Sequence, residues 1–212
     1  MGMTNIPLRE RKKAKIKVAL YEACLDMSIE QSFRDMKVEE ICARAEVSKV
    51  TFFKCFPKKE DVLVYYMCVW LTKRWLEIDE QGLQGWEAAK HLFACVAEDD
   101  RQRPGIMLRL VGLLAEEKMH PSMPLLSDAE ISLLFPEKEQ QAREIDPNLY
   151  ILMKRIAEEA ISKGEATERY SIKQMTEMLF TIFYGGYLTA HLMMRSHEIM
   201  ACYMEHLEVL AK

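Results

Sequence analysis

Residues 37–62 read KVEEICARAEVSKVTFFKCFPKKEDV, and this stretch decides the fold. Val38, Ile41 and Cys42 recur at helical spacing, with Glu39, Glu40 and Arg44 on the other side. Val47 falls in a connecting turn, and Ser48 can cap a second helix by accepting from its first free N–H groups. That helix, Lys49 to Phe56, has Phe52 and Phe56 four apart on one side and carries Lys49 and Lys54. Phe56-Pro57 ends it, because a residue before proline is pushed away from helical ψ. Two short helices, a tight turn and basic residues on the second predict a helix-turn-helix, with Lys49 to Phe53 facing a DNA major groove.

The stretch resembles the amino-terminal DNA-binding domain of TetR-family bacterial repressors. Val38, Ile41, Ala43, Ala45, Val47, Ser48, Thr51, Phe52, Phe56, Pro57, Lys59, Glu60 and Asp61 carry the likeness, which covers roughly residues 9 to 65. The resemblance implies an all-α fold: a helix-turn-helix DNA-binding head, residues 1–60, on a larger helical effector-binding and dimerisation domain, residues 61–212. Candidate DNA contacts are Lys37, Ser48, Lys49, Val50, Thr51, Phe53, Lys54 and Lys59.

Three positions depart from the family pattern. Glu46 stands where Gly is usual, in a turn expected to be left-handed, at a cost of roughly 1 kcal/mol. Lys37 stands where Ser or Thr usually caps the first helix; either Asp35 caps instead, or a cap has been exchanged for a phosphate contact. Phe53 replaces a Tyr whose hydroxyl commonly reaches a phosphate, and it cannot make that bond.

Charge is unevenly spread over the 212 residues. Residues 1–60 hold thirteen Lys/Arg and nine Asp/Glu, and the remainder sixteen and twenty-four. A basic head on an acidic body fits nucleic-acid contact at the head alone. Residues 9–17 hold Arg9, Arg11, Lys12, Lys13, Lys15 and Lys17, and are expected to touch the DNA backbone. Six cysteines occur without a C-x-x-C pair, which predicts free thiols in a reducing compartment. No apolar run approaches the ~18–20 residues of a membrane span, and no signal-peptide core opens the chain, so a cytoplasmic protein is expected.

Helices are expected from about residue 9, over 58–81, 86–99 and 104–119 (opened by Pro104), and after a capping box at Ser127–Glu130. Breaks are expected at Gly82–Gly85, Pro121, Pro124 and Pro136. Another helix should run from Asp146-Pro147 to Lys163, followed by two at about 171–195 and 197–211. No strand-like alternation or internal repeat is evident.

No reacting constellation accompanies the five histidines, so an enzyme is not expected. His91 and Cys95 share a helix face, but no third ligand can be named, and neither a metal nor a cofactor is assigned. Most of the fifteen methionines lie beyond residue 60 and could be simple core. The resemblance implies a small-molecule pocket there, with Tyr66, Trp70, Phe93, Met107, Met153 and Met178 as candidates and an apolar or aromatic effector. Gly185-Gly186 inside a helix costs roughly 1 kcal/mol per Gly against Ala, which predicts a close helix approach. The resemblance implies a homodimer through residues 171–211 that binds a palindromic double-stranded operator. The reading is a transcriptional repressor released by its effector. Its rivals are a thiol-redox switch acting through Cys55, and a helical binding module that has lost DNA binding, as Phe53 would suit.

Overall fold

The computed structural model describes residues 6–117 and 123–212. Eleven α-helices are described: α1 (Leu8–Glu30), α2 (Val38–Arg44), α3 (Lys49–Cys55), α4 (Asp61–Glu80), α5 (Trp86–Gln102), α6 (Ile106–Glu116), α7 (Asp128–Leu134), α8 (Glu139–Glu144), α9 (Leu149–Ser162), α10 (Ile172–Leu192) and α11 (Ile199–Leu207). No strand occurs among the described residues; Ala166 and Ala211 form an isolated bridge. The helices group into two compact units. The first is Met1–Leu76 with Arg103–Pro147, and the second is Glu77–Gln102 with Asn148–Lys212. No described helix is long and apolar enough to cross a membrane.

In the first unit α1 packs on α2, α3 and α7. Leu20, Ile41 and Phe52 are fully buried there, and Phe56 nearly so. Fully burying one such side chain contributes about 1.5–3 kcal/mol. The rings continue as a chain: Phe52 to Phe56 at 5.8 Å, Phe56 to Tyr65 at 5.7 Å and Tyr65 to Tyr21 at 5.3 Å. This apolar seam ties the three-helix head to the start of α4. The capping box at Ser127 forms as expected, with Ser127 N–H donating to Glu130 Oε2 at 2.9 Å.

In the second unit α10 packs on α9 and α11, and α5 on α9 and α11. Phe93 stacks on Tyr203 at 4.4 Å, and the Tyr203 hydroxyl donates to the Phe183 carbonyl at 2.8 Å. Helix α5 has no side-chain cap of its own in sequence. The Glu159 carboxylate accepts from Gly85 N–H at 3.0 Å and the Glu165 carboxylate from Trp86 N–H at 3.0 Å, so two distant carboxylates satisfy the free donors. Gly85 has φ +55°, and a Cβ there would meet the Ala160 Cα at 3.1 Å.

Several boundaries differ from expectation. Helix α4 starts at Asp61 rather than 58, because the Asp61 carboxylate accepts from Lys58 N–H at 2.7 Å and closes the preceding turn. Helix α6 starts at Ile106, since Gly105 at φ 85° is left-handed and forms the entry. Its expected end at 118–119, with His120 and Pro121, lies outside the described residues. Helix α9 starts at Leu149 rather than at Asp146-Pro147, because Asn148 caps it; the Asn148 side-chain oxygen accepts from Tyr150 N–H at 2.9 Å. Helix α8 was not anticipated: six residues carry too little periodicity to register.

Candidate nucleic-acid interface

The turn between α2 and α3 is built by backbone bonds. Glu46 has φ 55°, and Val47 N–H donates back to the Cys42 carbonyl at 2.9 Å, a left-handed closure of the kind glycine usually supplies. Ser48 then caps α3, accepting from Thr51 N–H at 3.2 Å, while the Ser48 and Thr51 hydroxyls lie 2.9 Å apart. Phe52 anchors the helix from beneath. The outer face holds Lys49, Val50, Phe53 and Lys54, all exposed. Val50 is 65% and Phe53 48% accessible, large values for apolar side chains three apart on one helix face. Phe53 sits edge-on to Phe52, with ring centroids 5.3 Å apart.

The candidate contacts thus divide. Lys49 pairs with Glu39 of α2 on the exposed surface. Such a pair is weak in water and can be exchanged for a phosphate. Lys37 is exposed and precedes α2, and Glu40 accepts from its backbone N–H at 3.3 Å, so Glu40 supplies the cap. Asp35 does not cap; its carboxylate accepts from the Ser32 hydroxyl at 2.7 Å. Lys59 is a correction. Its ammonium donates to the carbonyls of Phe33 at 2.9 Å, Arg34 at 3.1 Å and Met36 at 3.0 Å, and lies 4.9 Å from the Phe33 ring centroid. All three donors are spent inside the head, on carbonyls of the α1–α2 connection.

Lys17 likewise leaves the basic arm. Its ammonium lies 2.6 Å from the Glu130 carboxylate of α7 and 4.2 Å from the Tyr65 ring centroid. Burial would raise the Glu130 carboxyl, but hydrogen bonds from Lys17 and Ser127 prevail and hold it below its ordinary value. Burial and Glu130 together push the Tyr65 hydroxyl far up. The capping box marked Glu130 in the sequence; nothing there marked Lys17 as its partner, since the two are distant along the chain.

These helices, their left-handed turn and the Ser cap coincide with the family model for bacterial regulatory proteins of the tetR family, which matches residues 20–66. Residues 20–66 therefore form a head of the tetR type. Solved structures share the TetR fold over nearly their whole length. E. coli NemR in its reduced form is 17% identical with a TM-score of 0.57, over 93% of this chain and 98% of that one. CprB from S. coelicolor A3(2) is 14% identical with a TM-score of 0.58, over 95% and 90%. A structure described as the molecular basis for control of antibiotic production by bacterial hormones is 15% identical with a TM-score of 0.56, over 98% and 100%. At such identities the likeness is one of fold. No curated protein sequence matches the chain.

The six effector candidates are placed in both units. Tyr66, Trp70 and Met107 are buried in the first, Phe93 and Met153 are buried in the second, and Met178 of α10 is half-buried there. Two cavities are described, and neither is lined by any of the six. One, of about 130 Å³ in the first unit, lies among Thr72, Leu126, Ile131, Ala142, Arg143 and Ile145. The other is an open groove of about 370 Å³ in the second, edged by Tyr150, Phe180 and Tyr184. The first is well under the ~300 Å³ at which pockets for small organic ligands begin.

Burial pushes the Cys55 thiol up, more than the nearby Lys13 and Lys17 lower it. A redox switch there needs the opposite shift, because the thiolate is the reacting form. Burial likewise holds Cys24 and Cys68 at about 12.

Proposed function

We propose that this chain is a DNA-binding transcriptional regulator, a repressor released from a palindromic operator by a small apolar or aromatic effector. The observation that carries the reading is the outer face of α3. Two exposed apolar side chains, Val50 and Phe53, stand between two lysines on a helix held rigid by Ser48 and Phe52. Water does not favour that exposure; thymine methyl groups and sugar edges in a major groove would cover it. Lys54, Lys49 and Lys37 would hold phosphates on either side, with Ser48 and Thr51 at the helix entry. Phe53 then acts by apolar contact where a tyrosine would act by a hydrogen bond.

Residues 1–60 would read DNA, and residues 61–212 would bind effector and dimerise through 171–211. A two-fold dimer would present two α3 helices about 34–36 Å apart, or a multiple of that. The outward side of α10 supports the interface: Phe180, Tyr184 and Gly185 edge the open groove. The lever would be α4. Its first turns join the aromatic seam of the head, and Tyr65 contacts Lys17, which Glu130 holds. An effector that prefers the released arrangement would shift the population toward it; one that binds both arrangements equally would shift nothing.

Selection of binding sites from random DNA, followed by gel shifts across a salt series, tests the proposal. A half-site repeated with two-fold symmetry and an affinity that falls steeply with salt is expected. Binding no tighter than to bulk competitor DNA would instead favour a helical module without an operator. For the effector, a fluorescence screen on the native tryptophans should find ligands that also weaken the operator complex, with a coupling of about 1–3 kcal/mol.

A further inference from the structure

Three side chains with metal-ligating atoms converge within the second unit. Glu77 lies near the end of α4; His91 and Cys95 lie one turn apart on α5. His91 Nε2 is 3.0 Å from Glu77 Oε2 and 3.6 Å from Cys95 Sγ. One ligand atom from each residue falls within 4.8 Å of the other two, and all three residues are half-buried. We propose that Glu77, His91 and Cys95 bind a single divalent transition-metal ion, zinc being the best match, with a fourth position left to water or an outside ligand.

A hydrogen-bonded relay of carboxylate, imidazole and thiol is the rival arrangement. It requires the carboxylate on one ring nitrogen and the thiol on the other. Here both approach the same nitrogen, Nε2, which carries one proton or one lone pair. A single ion placed among the three atoms resolves that competition, since it accepts all of them at once. The donor types narrow the ion. A thiolate, an imidazole and a carboxylate suit zinc and its neighbours, while magnesium and calcium take oxygen ligands. The spacing agrees. Bonds of about 2.0–2.3 Å at tetrahedral angles hold donor atoms about 3.3–3.7 Å apart. The imidazole–thiol distance of 3.6 Å already satisfies this, and the carboxylate at 3.0 Å needs only a small side-chain rotation.

The backbone supports the geometry. A four-residue separation puts His91 and Cys95 on one face of α5. The α4–α5 connection is tight: Gly82 at φ 63° lets Leu83 N–H donate back to the Ile78 carbonyl at 2.9 Å. The Glu159 and Glu165 carboxylates that cap α5 fix its entry. Binding balances as follows. The Cys95 thiol loses its proton to solvent, the carboxylate is already ionised, and the imidazole binds neutral, so the ion takes two negative charges and one proton is released.

The site is independent of the regulatory reading, because metal binding is measured without DNA. The fully reduced chain is titrated with Co²⁺ and then with Zn²⁺. The expected result is one Co²⁺ per chain, with a near-ultraviolet thiolate-to-cobalt band and the visible bands of a four-coordinate ion, all removed by one equivalent of Zn²⁺. C95S should abolish the ultraviolet band and weaken zinc binding by about tenfold or more, with circular dichroism unchanged. E77Q should weaken binding while keeping the ultraviolet band. Should C95S fold poorly, His91→Gln should weaken cobalt and zinc binding by about tenfold or more while keeping the ultraviolet band, and an unchanged affinity there overturns the site. No thiolate band in the parent chain at tenfold cobalt excess overturns the site. So does an equal band in C95S, which would assign the metal to the other five cysteines.

Discussion

The α2–α3 turn lacks a glycine where its backbone favours one, and helix α10 holds two where its backbone does not. In the turn, the backbone demands a left-handed residue, and Glu46 occupies it at φ 55°. In α10, the backbone would prefer alanine, and Gly185-Gly186 occupies mid-helix. The two glycines are not equivalent. A Cβ on Gly186 would meet the Tyr203 ring of α11 at 3.0 and 3.2 Å, whereas one on Gly185 meets only Thr181 Cγ2, at 4.0 Å. Gly186 therefore serves the close approach of α10 and α11 within the chain. Local backbone demand can be met by an unsuitable residue at modest cost. A demand for space between two packed helices cannot.

The largest effect should follow from filling that space. Gly186→Leu should lower the unfolding free energy by about 3 kcal/mol or more, and Gly186→Ala by about 1–3 kcal/mol, through displacement of Tyr203. Gly185→Ala should instead stabilise by roughly 0.5–1 kcal/mol. Chemical denaturation of the three variants measures all of this. Equal losses at both positions would show that the α10–α11 approach is not what Gly186 serves.

Two lysines of the head offer the next contrast. Lys59→Met should destabilise the fold by roughly 1.5–3 kcal/mol, because three carbonyls lose a charged donor. Lys54→Ala should leave the melting curve in place and weaken operator binding by about 1–3 kcal/mol if Lys54 contacts a base. If it contacts a phosphate, affinity should fall evenly across sequences and the salt slope by about one. A Lys59→Met variant as stable as the parent would return that residue to the DNA-contact set.

Glu130 gives a pH signature. Its folded carboxyl lies below the ordinary value of 4.5, so its contribution is complete above that value and is lost as pH falls through the folded one. Unfolding measured between about pH 6 and pH 3 should show stability falling as the solution is acidified, and Glu130→Gln should flatten that fall. The smallest effect belongs to the turn. Glu46→Gly should stabilise by up to about 1 kcal/mol, the relief of left-handed strain being partly offset by a freer unfolded chain. Loss of stability there would mean that Glu46 makes a compensating contact.

The all-α class, the helix-turn-helix, the Ser48 and Ser127 caps and the left-handed turn at residue 46 were legible in the sequence, because each is decided within a few residues. Spacing sets which side chains share a helix face, and a capping hydroxyl finds its N–H three positions on. Other assignments required the tertiary structure. Lys59 and Lys54 look alike as residue types, yet one is consumed by three carbonyls and the other is left in solvent. Lys17 reads as part of a basic arm until α7 brings Glu130 to it. Glu77 carries no signal of its own until the α4–α5 turn sets it beside His91 and Cys95. The physical reason is common to all three. Helical propensity, capping and turn chemistry act along the chain over distances of one turn. The partner of a charge, and the space open to a glycine, depend on whichever helix packs against it.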